Sequence, residues 1–564
     1  MPLGARTVRR GAPLARAFVG VVSVIVTGCG GGVDSPSSPG GTTNPPPSSG
    51  GGSSTAKTVN VSVAVDQDRA PISPLIYGTN QDAGQTFWTV RRSGGNRTTG
   101  YNWENNFSNA GNDYIHNNDL YDITSLGLPA SDAVIPARAV TYTHDQSLAM
   151  GAESVITLQM AGYVSADGNG PVSAAEVAPS ARWVRALPKK PTAFSLTPNL
   201  GDGDVYMDEL VNLLVQKYGR AGSPRGIRFY SLDNEPALWS STHPRIHPQP
   251  VGAAELLTRS IDLSGAVKAV DPQAQILGTA EYGIEGYYNL QNAPDWAQLK
   301  GSYDWFLDYY LDGMKKAGQT AGKRLLDVLD VHWYPEARGD DRIVDANATT
   351  TADVDARLQA PRTLWDPTYH EKSWVQDVLP AFLPILPRLQ RSIAQYYPGT
   401  KLAITEYDFG GKTVISGGLA QADVLGAFGK NGVYLATIWG IGNGDSYAIA
   451  GFKLFRDYDG QNGKFGSTSV RTSAGDVARV SVYAAIDGSD DSEVHLILIN
   501  KDRSDTTNAA VTLTGGATYT SGQVWGFGPS GAQITSRAPV SGISGNGFSY
   551  PVPPLTALHI VLHK

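Results

Sequence analysis

Cysteine is nearly absent from this 564-residue chain: Cys29 is the single one. No disulfide can form within one chain, so the fold rests on burial and hydrogen bonds in any redox compartment. An excess of positive charge is missing too. Lys and Arg total 45 against 52 Asp and Glu, a formal charge of −7. With no basic stripe, a nucleic-acid partner is excluded. Long apolar runs are also lacking. The best, Ala17–Val26, is too short to span a bilayer as a mature helix.

What is present is 41% hydrophobic residues with 26 Tyr and 11 Trp. That fits a globular protein with aromatic surface to spare. At ~150 residues per domain the length predicts three or four domains, with barrels allowed to run longer. Residues 1–29 read as an export signal. Arg6, Arg9, Arg10 and Arg16 form its basic end, followed by the apolar run. It closes on Val26-Thr27-Gly28-Cys29, which resembles a bacterial lipobox and implies lipidation of Cys29. Residues 30–57, rich in Gly, Ser, Pro and Thr, read as a flexible tether that cannot bury enough surface to order itself.

Two stretches organise the rest. Ile227–Leu232 alternates apolar and polar residues and stops at Asp233-Asn234-Glu235-Pro236, because Pro236 has no N–H for a ladder. Leu402–Thr405 is a second apolar run ending at Glu406, and Gly410-Gly411 then breaks it. Glu235 and Glu406 thus sit at the lips of two buried strands. Glycoside hydrolysis requires such a pair: one carboxyl protonates the leaving oxygen and the other, ionised, attacks carbon or activates water.

The strands can be counted by their ends. They fall near Gly78, at Val90–Arg92, Ser154–Tyr163, Ile227–Leu232, Ile276–Ala280, Val328–His332, Leu402–Thr405 and Val433–Trp439. Helical spacing intervenes at Val205–Tyr218, Ala253–Val270, Tyr303–Ala317 and, with proline interruptions, Trp374–Tyr397. Eight strands with interleaved helices predict an α/β fold, a (β/α)8 barrel over residues 71–460, with its chemistry at the C-terminal strand ends. Residues 461–564 give short alternating runs with no helical period. They predict an all-β sandwich that a strand within residues 58–70 joins.

With Glu235 closing strand four and Glu406 strand seven, the chain resembles glycoside hydrolase family 44, endoglucanases and xyloglucanases with a barrel and a β-sandwich. The motifs are Ser231–Pro236, Thr405–Gly411, Gly94–Arg97, Tyr101–Glu104, Val205–Glu209 and His332–Pro335. The resemblance implies Glu235 as acid/base, Glu406 as nucleophile and retention of configuration. It also places Glu104, Asn199 and Asp202 near positions implicated in a structural calcium site, although an acid is expected at 199. No cofactor is expected for catalysis.

Supporting roles follow. Asn234 is expected to bond the sugar 2-hydroxyl, and Tyr334 to donate to Glu406. Trp439 is expected to floor a sugar ring. Asn96 and Arg97 would orient a carboxylate or hydroxyl. Trp239, Trp333 and Tyr407, with Trp88 and Trp103, would line further subsites. His243 and His247 share zinc-helix spacing, but Pro244 and Pro248 oppose a helix there, so a rigid cleft wall is expected. The expected partners are a β-1,4-glucan and, through the anchor, the cell envelope of a bacterium. The expected state is a monomer. Xylan or mannan as substrate, or polysaccharide binding without catalysis, are the alternative readings.

Overall fold

Eight parallel strands close on themselves in chain order: β1 (Gly78–Thr79), β2 (Val90–Ser93), β3 (Glu153–Leu158), β4 (Phe229–Leu232), β5 (Gln275–Glu281), β6 (Val328–Trp333), β7 (Lys401–Tyr407) and β8 (Leu435–Ile438). β8 pairs back onto β1 through Thr437–Gly78 and Ile438–Thr79. This computed structural model describes residues 56–80 and 84–564. Cys29, the signal-like segment and nearly all of the tether lie outside the described residues.

The barrel interior is layered, and the layers follow from the two-residue strand period. Val90, Val155, Phe229, Leu277, Val328, Ala403 and Leu435 form one buried cluster, one residue from each of seven strands. Two residues further along the same strands stand Arg92, Thr157, Ser231, Thr279, Asp330, Thr405 and Thr437, every one of them polar and buried. An apolar plug thus supports a polar floor, and the catalytic end opens above it.

A register shift in β7 decides which side chains reach that opening. Ala403 and Thr405 belong to the inward set, so strict alternation would turn Glu406 outward. The pairing with β6 slips after Val331–Ile404 and puts His332 opposite Glu406. The bulge turns Glu406 inward and Tyr407 outward. Tyr407 then packs edge-on against Phe428, 5.2 Å between ring centroids, in the helix Ile415–Lys430.

Two elements depart from expectation. β3 stops at Leu158 rather than running to Tyr163, because the amides of Met160 and Ala161 turn to donate to the Asp233 carboxylate at 2.5 and 2.9 Å. The helix predicted over Trp374–Tyr397 divides into Trp374–Val378, a 3-10 turn at Pro380–Phe382, and Ile385–Tyr396. Pro380 and Pro384, which have no N–H, stand at the breaks.

Beyond the helix Ser446–Arg456 the chain forms two facing sheets. In the four-stranded sheet, Lys57–Ala64 runs parallel to Thr507–Thr514 and antiparallel to Arg471–Ala474. Its Val59, Val61 and Val63 share a core with Leu496, Leu498 and Ile560 of the seven-stranded sheet. That larger sheet packs against the barrel. Asp423, on a barrel helix, accepts from Ser481 Oγ at 2.9 Å and Tyr483 OH at 2.6 Å, and Lys501 Nζ lies 3.6 Å away. Gly426 permits the approach: a Cβ there would lie 2.2 Å from the Tyr483 ring. Among the described residues no helix is long and apolar enough to cross a membrane.

Candidate active site

Glu235 leaves β4 in a conformation that L-residues seldom adopt, φ 46° and ψ 57°. Two anchors hold it there. Its N–H donates to the Ala280 carbonyl at 2.9 Å. Asp233, fully buried and itself at φ 59°, accepts from Thr99 Oγ1 at 2.6 Å as well as from Met160, Ala161 and the Asn234 N–H. Such a conformation survives only where the surroundings over-determine it, and that places the Glu235 carboxyl over the barrel mouth.

Glu406 faces it. Ligand atoms of Glu235, His332 and Glu406 lie within 4.8 Å of one another. That approach suits a nucleophile opposite an acid and is close to the short carboxyl spacing of retaining enzymes. Glu406 is bound on both oxygens: Arg92 Nη1 donates to Oε1 at 2.7 Å and Tyr334 OH to Oε2 at 2.7 Å. Arg92 also donates to Asn80 Oδ1 at 2.9 Å and, through Nη2, to Asn234 Oδ1 at 2.8 Å. With a cationic guanidinium on one Glu406 oxygen and a phenol on the other, the cluster reads as an acid–nucleophile pair rather than a metal centre.

The electrostatics mark Glu235 as the proton holder. Burial pushes Glu235 up to about 7, with Arg92 opposing and Asp113 reinforcing the rise. His332 is held neutral, pushed down to about 3 by burial against the pull of Glu406. Its Nδ1 lies 2.9 Å from Glu235 Oε1, and its Nε2 is buried without a partner. A neutral imidazole accepts from a protonated carboxyl in one tautomer and donates to an ionised one in the other. The contact therefore survives both states that an acid/base must visit.

Other residues from the sequence reading scatter. Asn234 and Tyr334 stand at the pair, and Asn96 joins them, 3.5 Å from the Asn234 amide. Trp439 is half-buried at the end of β8, its ring edge over Gly95. Arg97 does not reach the carboxylates: it is paired with Asp119 at 2.5 Å and lies over Tyr121. Trp239, Trp333 and Tyr407 are buried, where exposed stacking faces were expected. Trp239 has no exposed surface, Trp333 and Tyr407 occupy outward strand positions, and Tyr407 packs against Phe428. Trp88 and Trp103 are buried as well. His243 and His247 turn to separate partners, Thr242 and Glu255. Arg92 and His332 are the residues the sequence reading passed over. The signal was their polarity at inward strand positions.

At the expected calcium position, Glu104 is buried and pushed up to about 8, by burial first and then by Asp202 and Glu209, with Lys190 opposing. Glu209 Oε2 is buried without a partner. The crowded carboxylates fit a hard divalent cation in chemistry. The Asn199 side chain is exposed and accepts from the Gly201 N–H at 3.2 Å, and Asp202 beside it is exposed as well.

A closed barrel whose fourth and seventh strands present opposed glutamates, one proton-holding and one ion-paired, defines a glycoside hydrolase. Comparison with known proteins agrees. The sequence model of glycoside hydrolase family 44 matches residues 107–337. Endoglucanase A of Paenibacillus lautus is 54% identical over 511 residues, covering 90% of this chain and 73% of that protein. A Paenibacillus polymyxa family 44 xyloglucanase, solved with xyloglucan, is 53% identical with a TM-score of 0.88, over 90% of this chain and 100% of that one. A family 44 endoglucanase from Clostridium thermocellum is 55% identical with a TM-score of 0.89, at the same coverage of both chains. The chain belongs to glycoside hydrolase family 44.

Proposed function

We propose that this protein cleaves β-1,4-glucan backbones, xyloglucan and soluble cellulose derivatives, internally and with retention. The observation that carries the reading is the approach of one Glu235 carboxyl oxygen to one Glu406 carboxyl oxygen within 4.8 Å across the barrel mouth. Glu406, oriented by Arg92 and Tyr334, attacks the anomeric carbon. Glu235 gives its proton to the leaving oxygen, and the C–O bond breaks as the glycosyl–Glu406 ester forms. Glu235, now ionised, takes a proton from water, which attacks the same carbon and releases Glu406. Asn234, held by Arg92, is placed for the sugar 2-hydroxyl, and Trp439 for stacking. No cofactor enters any step.

Reducing-sugar release from xyloglucan, carboxymethylcellulose, xylan and mannan tests the substrate reading. Glucan substrates should lead, and Glu235→Gln and Glu406→Gln should each lower the rate by about 10²-fold or more. A lead by xylan or mannan would move the assignment to another backbone. Activity surviving both substitutions would end it.

Residues 1–29 direct export and a lipid on Cys29 tethers a monomer to the cell envelope, a reading supported by the sequence pattern alone. Cys29→Ser should then release the protein from membranes. Glu104, Asp202 and Glu209 would hold a structural calcium ion, and chelation should then lower Tm without abolishing turnover at permissive temperature.

A further inference from the structure

Asp113 stands in the loop Gly111–His116, which follows the short strand Ser108–Asn109 at the cleft rim. The loop is tightly built. Ile115, a β-branched residue, sits at φ 43° and His116 at φ 54°, in the left-handed region such side chains avoid. Gly111 has no space for a side chain: a Cβ there would come within 2.4 Å of the Thr242 carbonyl oxygen and 2.8 Å of His243 Nε2. Asn112 Nδ2 donates to the Ser241 carbonyl. The loop is thereby fastened to the segment that follows Glu235.

The Asp113 carboxylate accepts from Asn96 Nδ2 at 3.2 and 3.3 Å. Asn96 Oδ1 accepts in turn from Asn234 Nδ2 at 3.5 Å, and Asn234 accepts from Arg92, whose other nitrogen is on Glu406. A continuous chain of hydrogen bonds thus runs from the nucleophile to Asp113, passing beside the acid.

We propose that Asp113 is a positioning residue for the proton-transfer step, fixing Asn96 against Asn234 and placing a further negative charge toward Glu235. The proposal rests on the assignment of Glu235 as the acid. The charged and titratable groups around Glu235 are Arg92 on β2, Glu281, Tyr282 and Tyr287 on and after β5, His332 and Tyr334 at the end of β6, and Glu406 on β7. Arg92 favours the ionised acid, whereas ionised Asp113 disfavours a second charge there. Glu281 is buried and its carboxyl is pushed well up by that burial, with the Ala237 N–H opposing. Asp113 is exposed at the loop surface, and its carboxyl is shifted upward by partial desolvation beside the cleft, with Asn96 and Arg97 opposing. Removing its charge lets Glu235 lose its proton at lower pH.

The test is the pH profile of kcat/KM for the full chain and for Asp113→Asn and Asp113→Ala. Each is run on xyloglucan and on a 2,4-dinitrophenyl β-cellobioside, whose leaving group needs no proton. Asp113→Asn keeps an acceptor for Asn96 and removes only the charge. Its alkaline limb on xyloglucan should move down by about half a pH unit. At pH 8 that leaves roughly a third of the wild-type value, with pH 5 within about twofold. On the activated substrate the difference should vanish. Asp113→Ala should show the same shift and a further loss at every pH, because Asn96 is released. An unmoved limb in Asp113→Asn, or an equal loss on both substrates, would overturn the proposal. Glu406→Gln is run beside them: if it kept wild-type activity, the underlying reading would fail independently of Asp113.

Discussion

Arg92 reaches Asn80, Asn234 and Glu406 from a side chain that is 0% exposed. A planar fork can serve three acceptors at fixed angles, and an ammonium cannot. Arg92→Lys should therefore lower kcat by about 10²-fold while KM changes little, because substrate stacking does not depend on it. Steady-state kinetics on xyloglucan separates the two parameters, and a change confined to KM would contradict the role. At this scale the sequence was legible where polarity coincided with a break in the chain. Glu235 before Pro236 and Glu406 before Gly410-Gly411 announced themselves. Arg92 and His332 did not, because each is a polar residue within a strand run, and only the closed barrel reveals that its inward neighbours two residues back are Val90 and Asp330.

Element geometry explains which aromatic residues meet the cleft. The count of eight strands was readable from their ends, and so was the carboxylate at strands four and seven. The bulge in β7 was not, since alternation alone gives no sign of a register slip. That slip is why Tyr407 lies under a helix although it adjoins Glu406. Trp333 likewise follows an inward histidine and so points outward. Trp439 is different. Gly95, at φ 98°, allows the ring to lie against the backbone, and a Cβ there would stand 2.5 Å from Trp439 Cη2. Gly95→Ala should displace the ring and lower kcat/KM on xyloglucan roughly tenfold, a loss of about 1.4 kcal/mol. An unchanged kcat/KM would show that Trp439 carries no substrate.

Across the whole molecule, the sandwich is bound to the barrel by a buried polar cluster rather than by apolar contact alone. Asp423 and Lys501 are each 2% exposed at the side chain, and Ser481 and Tyr483 both donate to the same carboxylate. Removing one member of a buried pair leaves the other charge without compensation. Asp423→Ala should cost about 3–5 kcal/mol of stability, read as a fall in urea midpoint, while the folded variant keeps its kcat. A midpoint within experimental error of wild type would show that the interface does not depend on the cluster. The sequence could indicate two β-rich ends from their alternation. That a strand within residues 58–70 joins the C-terminal sandwich was legible, but its neighbour was not, because the partner of Lys57–Ala64 lies some 450 residues away at Thr507–Thr514, and no local pattern encodes which strand it meets.

In the proposed double displacement Glu406 attacks carbon directly and Glu235 serves as both acid and base. Proton NMR of xyloglucan or cello-oligosaccharide hydrolysis, recorded before mutarotation, tests it most directly. Newly formed reducing ends should appear first as the β-anomer, with the α-anomer growing in afterwards. Initial release of the α-anomer would contradict double displacement and with it the roles assigned to both glutamates.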